Sequence, residues 1–390
     1  MHQSDYNIAK MNAQPSKPAG SYISFFSNLV KEKGGINLAQ GIPGFQPPEE
    51  LLKSLTHVIS DNVHQYAPGV GDYKLLDTLG KHYSKEFSVD VNNFLVVQGA
   101  TEALSLIYTY LFQKLKGNFS VLSFEPAYES YSQLPAIFGQ KYVNFPLNDS
   151  YSFSEKDFVQ TVISNNVKLV FIASPGNPFG KVWSKEEVET LVGLSQELGF
   201  YIVFDAVYKE LYFERPPYIP FGISSPNVFY VNSFSKMLCI TGWRIGYLYA
   251  HESHREAIRS IHDYIGLCAP SLLQRGIANY LEENNFGNDF LDSLRRKVNQ
   301  SFTSLSAVLS QNGFYIPHIK GGCFIWTRLP EGITNGFHFA HSLYQNTGVA
   351  IIPGEHFSPN CNNWVRFNIA RPLEEIEKAA NLIVNYIRKL

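Results

Sequence analysis

The most informative feature of the chain is the way in which apolar runs and helical patterns alternate along it. Between about residues 45 and 250, short runs of aliphatic and aromatic residues are hydrophobic throughout instead of alternating with polar residues. Such runs are typical of strands that are covered on both faces of a sheet. We expect strands at residues 94–98, 119–124, 168–173, 200–204, 228–231 and 245–249. Their alternation with helical segments, one of them opened by a capping box at Ser184 and Glu187, predicts an α/β fold with a mostly parallel sheet.

The pattern changes in the last third of the chain. Helical patterns at residues 252–282 and 288–311 precede strand-like runs at 323–327, 350–352 and 365–369, and a last helix is expected after Arg371-Pro372. This order predicts a second, smaller α+β domain. The expected division is a mobile arm at residues 1–19, a small domain at 20–45 and 283–390, and a large domain at 46–282.

Composition excludes several classes of protein. Hydrophobic residues make up 45% of the 390 residues, which is too apolar for a disordered chain. Lys plus Arg total 32 and Asp plus Glu total 34, so the net charge of −2 gives no electrostatic basis for binding nucleic acid. No apolar run approaches the roughly 18 residues of a membrane helix, and the polar first 20 residues do not resemble a secretory signal.

The cysteines indicate the cellular compartment that is expected, and the histidines bear on whether a metal site is expected. The four cysteines include no C-x-x-C pair and are too few for a disulfide scaffold, which favours the reducing cytoplasm. The eleven histidines form no ligand cluster, and His251-x-x-His254 reads as a helix start, so no metal site is expected.

Polar residues follow the predicted strands at the edge of the sheet where ligands bind in open α/β folds. They are Thr101, Tyr128, Asn177, Asp205, Tyr208, Ser233, Ser235, Lys236 and Arg244, and Ala100, just before Thr101, adds a backbone N–H. Taken singly, Asp205 also fits a helix N-cap and Asn177-Pro178 also fits a turn. Their shared position at one edge favours a common site.

The chemistry of this set suits one class of ligand. A helix start at Thr101, the segment Ser233-Phe234-Ser235 and Arg244 are suited to a phosphate. Asp205 lies in an apolar stretch and needs a cationic partner or a donor, and Lys236 supplies an amine. A phosphorylated pyridine aldehyde needs this combination: an amine for its aldehyde, a carboxylate for its ring nitrogen and a site for its phosphate.

The segment from Ser233 to Gly246, with Lys236, Gly242 and Arg244 at the matching positions, resembles the pyridoxal-phosphate attachment signature of class I aminotransferases of fold type I. Further matches follow in order at residues 36–45, 65–68, 99–104, 177–178, 205–208 and 365–367, and the resemblance covers about residues 20–390. It implies a large domain with a seven-stranded, mostly parallel sheet covered by helices, and a smaller α+β domain. It also implies pyridoxal 5′-phosphate as the cofactor and transfer of an amino group from an amino acid to a 2-oxo acid by a ping-pong mechanism.

The resemblance also implies a role for each matching residue. Lys236 would hold the cofactor and move the proton at the substrate Cα, and Asp205 would keep the pyridine nitrogen protonated. Asn177 and Tyr208 would hydrogen-bond the ring oxygen, and Tyr128 would stack on the ring. The phosphate would be held by Ala100, Thr101, Ser233, Ser235 and Arg244.

The substrate and the neighbouring subunit are implied in the same way. Arg366 would bind the α-carboxylate as a bidentate pair, helped by Asn177 and the backbone of Gly41, although Arg366 alone also fits a structural ion pair. In the family, the tyrosine at the position of Tyr66 reaches the phosphate of the neighbouring subunit, which implies an obligate homodimer.

Within the family, the chain is most similar to the branch that contains methionine, kynurenine and glutamine–phenylpyruvate aminotransferases, through residues 37–45 and 99–104. That branch often has an aromatic residue near Leu267, on a loop that lines the partner's substrate pocket. The candidates to replace it are Tyr22, Phe25 and Tyr264. Residues 262–273 contain no Arg that could pair with a dicarboxylate, so we expect a neutral amino acid as substrate: methionine, an aromatic residue or glutamine.

Two other functions are compatible with these residues. A β-eliminating carbon–sulfur lyase of the cysteine-conjugate type also removes the Cα proton and differs only in where the electrons go. Pyruvate release from a cysteine conjugate without an added oxo acid distinguishes it. A cofactor-binding regulatory module is the second alternative, but the intact Lys236 and the lack of a basic helix-turn-helix segment argue against it.

Overall fold

The computed structural model describes residues 17–18, 20–61, 63–148 and 150–390 of the chain. The arm expected at residues 1–19 therefore lies outside the described residues, apart from Lys17 and Pro18. The helices are α1 (Tyr22–Lys33), α2 (Glu49–Val58), α3 (Tyr73–Tyr83), α4 (Ala100–Lys114), α5 (Ser130–Ile137), α6 (Glu155–Ser164), α7 (Lys185–Leu198), α8 (Phe234–Met237), α9 (Glu252–Ile265), α10 (Ser271–Glu283), α11 (Asn288–Gln311), α12 (Gly336–Thr347) and α13 (Leu373–Ile387). The strands are β1 (Ile36–Asn37), β2 (Phe94–Val97), β3 (Ser120–Glu125), β4 (Tyr142–Pro146), β5 (Val167–Ala173), β6 (Tyr201–Asp205), β7 (Val228–Ser233), β8 (Gly246–Ala250), β9 (Phe324–Arg328), β10 (Val349–Ala350), β11 (Ile352–Pro353) and β12 (Trp364–Asn368).

A seven-stranded sheet is formed by β2 to β8. Its strands lie in the order β2-β8-β7-β6-β5-β3-β4. The five strands β7, β6, β5, β3 and β4 run parallel to one another, whereas β8 is antiparallel to both β2 and β7. The mostly parallel α/β sheet expected from the sequence is confirmed.

Both faces of this sheet are buried, which explains why its strands are apolar throughout. On β2, Phe94 and Val96 belong to one cluster of buried side chains, whereas Leu95 and Val97 belong to another. Successive residues of a strand point to opposite faces, so neither face of the strand leaves room for polar residues. Each fully buried side chain of this size contributes about 1.5–3 kcal/mol.

Strand β4 was not expected from the sequence, and its exposure gives the reason. It lies at the edge of the sheet and pairs only with β3. Of its five residues, only Phe145 is buried. An edge strand that is incompletely covered has no need of a continuous apolar run, and Asn144 and Pro146 interrupt the pattern.

The helical pattern predicted as one segment at residues 252–282 forms two helices, α9 and α10. Leu267, in the connecting loop, has a φ of 60°, and Pro270 directly precedes α10. A proline and a residue in the left-handed region both interrupt a helix. The end of α9 and the loop expose Tyr264, Ile265 and Leu267, at 91%, 55% and 46%.

The chain forms two compact units. The larger comprises residues 42–300 and 318–323 and contains the seven-stranded sheet. The smaller comprises residues 1–41, 301–317 and 324–390. The change of unit at residues 300/301 falls inside α11, whereas the sequence placed it at 282/283. A helix that continues without a break carries no linker signal, so its sequence does not mark this position.

Residues 318–323 return to the larger unit because two glycines allow close backbone contact there. The N–H of Gly322 donates to the carbonyl oxygen of Leu211 at 2.6 Å, and the N–H of Phe213 donates to that of Lys320 at 2.9 Å. A Cβ at Gly321 would lie 2.7 Å from the Leu211 carbonyl oxygen, so only glycine fits.

The smaller unit contains two short sheets. Strands β11, β12 and β9 form an antiparallel sheet, in which β12 is central. Strands β1 and β10 form a parallel pair. Among the described residues, no helix is long and apolar enough to cross a membrane, and no group of His, Cys, Asp or Glu is arranged to hold a metal ion.

Candidate active site

Asp205 lies buried at the carboxyl end of β6, in the larger unit. Its Oδ2 accepts a hydrogen bond from the Tyr131 hydroxyl at 2.7 Å, and its Oδ1 accepts one from the N–H of Val207 at 3.1 Å. Burial raises the pKa of Asp205, and the two hydrogen bonds lower it. An ionised carboxylate in such surroundings is best stabilised by a cationic partner, such as a protonated ring nitrogen.

Tyr131, on α5, is a site residue that the sequence reasoning missed. It is 2% exposed, and its ring stacks on Phe171 at a centroid distance of 4.7 Å. Burial and the charge of Asp205 raise the pKa of Tyr131 well above its usual range, so the hydroxyl remains a donor. The one available signal was its position three residues after Tyr128, which places both side chains on one face of a helical turn.

The start of α4 and Arg244 come together at the end of β2. Gly99 has a φ of 80°, and a Cβ there would lie 2.4 Å from Nη2 of Arg244. The guanidinium therefore occupies the space that the missing side chain leaves. It donates to the carbonyl oxygens of Thr241 at 3.0 Å and Gln98 at 3.3 Å. Ala100 and Thr101 open α4, where backbone N–H groups lack intrahelical partners.

Ser233, Ser235 and Lys236 lie at the junction of β7 and α8. The Ser233 hydroxyl oxygen accepts from the N–H of Ser235 at 3.2 Å and lies 2.9 Å from the Ser235 hydroxyl oxygen. Asp205 pairs with Val231 on the neighbouring parallel strand, so both strands end at the same edge. The sheet thus brings the lysine segment beside Asp205.

Tyr208, Asn177 and Tyr128 lie around the same edge. Nζ of Lys236 lies 6.0 Å from the centre of the Tyr208 ring, which is buried. Tyr128, Tyr131 and Asn177 line one cavity. The aromatic rings of Tyr128 and Tyr131 are perpendicular, with centroids 5.6 Å apart.

These residues fit a phosphorylated pyridine aldehyde. Asp205 is buried at a position that favours a cationic partner, and Lys236 supplies an amine in α8, directly after the neighbouring strand β7. At Gly99, the guanidinium of Arg244 lies beside the start of α4. A ring nitrogen, an aldehyde and a phosphate match these three features in turn.

Arg366, in the smaller unit, is completely buried on β12. Its Nη2 donates to the carbonyl oxygen of Ala39 at 2.5 Å. The guanidinium lies 4.1 Å from the ring centre of Phe324 and 4.8 Å from that of Phe357. Aromatic faces stabilise a guanidinium by cation–π interaction and leave its edge for planar acceptors.

The backbone just before Gly41 is hydrogen-bonded to β12, the strand that carries Arg366. The N–H of Asn368 donates to the carbonyl oxygen of Leu38 at 2.8 Å, and its side-chain amide donates to that of Gln40 at 2.7 Å. In the same unit, the Tyr22 hydroxyl donates to Oε1 of Glu355 at 3.1 Å. Burial and the charge of Glu355 raise the pKa of Tyr22 to about 12.

Tyr66, in the larger unit, has an 82% exposed side chain. Tyr66 must be exposed in the single chain if its side chain is to contact a neighbouring subunit. The roles expected for Tyr66, Tyr22, Gly41 and Arg366 remain predictions.

The family model of class I and II aminotransferases matches residues 33–383. The chain belongs to this family. Aminotransferases of this family use pyridoxal 5′-phosphate, so the expected enzyme class and cofactor are confirmed. The chain is therefore a pyridoxal-phosphate-dependent aminotransferase that acts on amino acids and 2-oxo acids.

This aminotransferase is similar to proteins whose names give different substrates. It is 28% identical over 357 residues to the probable aspartate aminotransferase of Methanocaldococcus jannaschii. The matched segment covers 89% of this chain and 92% of that protein. It is 25% identical to N-succinyldiaminopimelate aminotransferase from Mycobacterium tuberculosis, with a TM-score of 0.85 over 94% of this chain and 97% of that one. It has the fold of YbdL from Escherichia coli, a protein with a methionine aminotransferase function (24% identity, TM-score 0.85, 96% and 100% covered).

Proposed function

We propose that this aminotransferase moves the amino group of a neutral amino acid (methionine, an aromatic residue or glutamine) to a 2-oxo acid by a ping-pong mechanism. The observation that carries the transamination is the buried pair of Asp205 and Tyr131 beside Lys236. When bound, the cofactor supplies an aldehyde for the amino group and a protonated ring that accepts electrons from Cα.

Each side chain of the site then has a stated task. Nζ of Lys236 takes the proton from the substrate Cα and later returns a proton. Asp205, held by Tyr131 and Val207, stabilises the positive ring nitrogen. Arg366 orients the substrate carboxylate through the edge of its guanidinium, with Asn177 and the Gly41 backbone as helpers. Tyr208 and Asn177 would donate to the ring oxygen, and Tyr128 would lie against the ring. Ala100, Thr101, Ser233, Ser235 and Arg244 would hold the phosphate.

The preference for a neutral substrate is supported by the segment around Leu267. Residues 262–273 contain no arginine, and the segment exposes Tyr264, Ile265 and Leu267. An apolar, aromatic surface without a cation favours an uncharged side chain over a second carboxylate. Relatives named for aspartate make a dicarboxylate the competing substrate, and the chain's place in the methionine, kynurenine and glutamine–phenylpyruvate branch remains part of the proposal.

We also propose that the enzyme is a homodimer in the cytoplasm. Tyr66, Tyr264, Ile265 and Leu267 are large apolar side chains exposed in the larger unit, and a second copy would cover them. The four cysteines are free thiols, as is usual in a reducing compartment.

The first experiment is the visible absorption spectrum of the purified enzyme after addition of single amino acids without any oxo acid. We expect a yellow band that bleaches with methionine, phenylalanine or glutamine and returns with a 2-oxo acid. Bleaching by aspartate alone would contradict the proposed substrate class. In a Lys236→Ala variant, the rate of bleaching by the amino acid should fall by at least about 10²-fold, as it does when a catalytic acid–base group is removed.

Two further readouts separate the alternatives. Parallel lines in initial-rate plots support the ping-pong mechanism, and intersecting lines would contradict it. Pyruvate released from a cysteine conjugate without an oxo acid would indicate the β-eliminating lyase instead.

A further inference from the structure

Three buried tyrosines, Tyr83, Tyr230 and Tyr247, have their hydroxyl groups close together in the larger unit. We call them the tyrosine cluster. The hydroxyl oxygen of Tyr83 lies 3.1 Å from that of Tyr230 and 2.7 Å from that of Tyr247. All three residues are at most 2% exposed. Burial raises the pKa of Tyr83 to about 12 and raises those of Tyr230 and Tyr247 well above their usual range, so the hydroxyls stay protonated.

Asn232 connects this cluster to the lysine segment. Its side-chain amide nitrogen donates to the Tyr230 hydroxyl at 3.3 Å and to the Tyr247 hydroxyl at 3.1 Å. Its side-chain oxygen accepts the N–H of Ser233 at 2.7 Å. Asn232 is 2% exposed, so each of these groups would be costly to leave without a partner.

The cluster decides which way the Asn232 amide points. Because two phenol oxygens occupy the two N–H donors of Asn232, its oxygen must face the other side, where the Ser233 N–H lies. That hydrogen bond fixes the backbone N–H of Ser233. The Ser233 hydroxyl oxygen accepts from the N–H of Ser235 at 3.2 Å and lies 2.9 Å from the Ser235 hydroxyl oxygen and 3.0 Å from the carbonyl oxygen of Ile245. Asn232 thus holds the backbone from which the Ser233–Ser235 turn at the start of α8 begins.

We propose that Asn232 is a positioning residue, which the tyrosine cluster orients and which sets the Ser233–Ser235 turn for the cofactor phosphate. This inference rests on the proposed roles of Ser233 and Ser235. A fully satisfied buried network of this kind specifies one geometry. If the Asn232 amide were turned over, its NH₂ group would face the N–H of Ser233, and neither group could accept a hydrogen bond. Asn232 itself does not touch the phosphate and acts through Ser233.

The test compares a ligand that carries the phosphate with one that lacks it. Apoenzyme is titrated with pyridoxamine 5′-phosphate and with pyridoxamine, neither of which condenses with Lys236. We expect Asn232→Ala to weaken pyridoxamine 5′-phosphate about tenfold, the loss that one or two buried hydrogen bonds predict, and pyridoxamine less than about twofold. Tyr247→Phe removes one of the two acceptors and should act in the same direction with a smaller effect.

Asn227→Ala is the matched control. Asn227 directly precedes the other end of β7, and its side chain donates to the Ser195 carbonyl oxygen at 2.7 Å. Both ligands should bind to this variant as they bind to the wild type. Equal weakening of both ligands by Asn232→Ala and Tyr247→Phe, or no change in either, would overturn the positioning role. Wild-type apoenzyme that binds neither ligand would instead contradict the proposed function.

Discussion

At the scale of single residues, the ionisation of Asp205 is tied to the Tyr131 hydroxyl, which donates to its Oδ2 at 2.7 Å. Asp205 and Lys236 could be singled out because a carboxylate and an amine stand where apolar strands end. Tyr131 was missed, because its position three residues after Tyr128 is a weak signal among 23 tyrosines. Its role depends on the fold, in which α5 contacts β3 and β4 and the Tyr131 hydroxyl reaches Asp205 at the end of β6.

Replacement of Tyr131 by phenylalanine tests the role of this hydroxyl. The hydrogen bond lowers the pKa of Asp205, so its loss raises that pKa further above the ordinary value. Asp205 then protonates at a higher pH, and the acid limb of kcat/KM should move towards higher pH. Near that limb we expect kcat/KM to fall about tenfold or more, because a hydrogen bond to a charged group contributes about 1.5–3 kcal/mol.

Tyr108→Phe is the control for this variant. The Tyr108 hydroxyl is buried and has no hydrogen-bond partner among the described residues. Its removal should leave the pH profile unchanged. An acid limb that stays in place in Tyr131→Phe would show that Tyr131 does not set the ionisation of Asp205.

At the scale of elements, the strongest local signals predicted the structure well. The capping box expected at Ser184 and Glu187 is present: the Ser184 hydroxyl accepts from the Glu187 N–H at 3.1 Å, and Glu187 accepts from the Ser184 N–H at 2.9 Å. The central strands were predicted from two-sided burial. The edge strand β4 was not, because partial exposure removes the apolar run on which such a prediction rests.

Ser184→Ala should lower the free energy of unfolding by about 1 kcal/mol, the usual effect of losing an N-cap side chain. Urea unfolding followed by circular dichroism measures it. Ser306→Ala, within α11, is the control and should be neutral or slightly stabilising, because alanine is the better helix former inside a helix. Equal effects of the two substitutions would argue against the cap as a stabilising feature.

At the scale of the whole molecule, the two units are each assembled from distant segments. The smaller unit collects three segments, and residues 318–323 between two of them belong to the larger unit. The family resemblance implies a small domain built from N- and C-terminal segments, with its second segment starting at residue 283. The compact units divide at 300/301, inside α11, where an unbroken helix gives no linker signal.

Tyr264→Asp tests the proposed dimer. Wild-type enzyme should have a mass of about twice 44.1 kDa by light scattering, and the variant should shift towards the single-chain mass. A buried, unpaired carboxylate at an apolar interface is costly, which is the reason for the expected dissociation. Ile137→Asp is the control: Ile137 is 77% exposed on α5, and its substitution should leave the mass unchanged. A wild-type enzyme of single-chain mass would contradict the dimer.

From the sequence alone we could predict the alternation of strands and helices, the sheet edge that carries the candidate site and the kind of cofactor that its residues suit. These features were predictable because burial on two faces and functional groups at strand ends both leave local patterns. Three contacts are visible only in the folded chain: Tyr131 with Asp205, Arg244 in the space beside Gly99, and Asn232 between the tyrosine cluster and Ser233. These contacts join residues far apart in the chain or depend on the orientation of a side chain, and neither property is encoded in spacing alone.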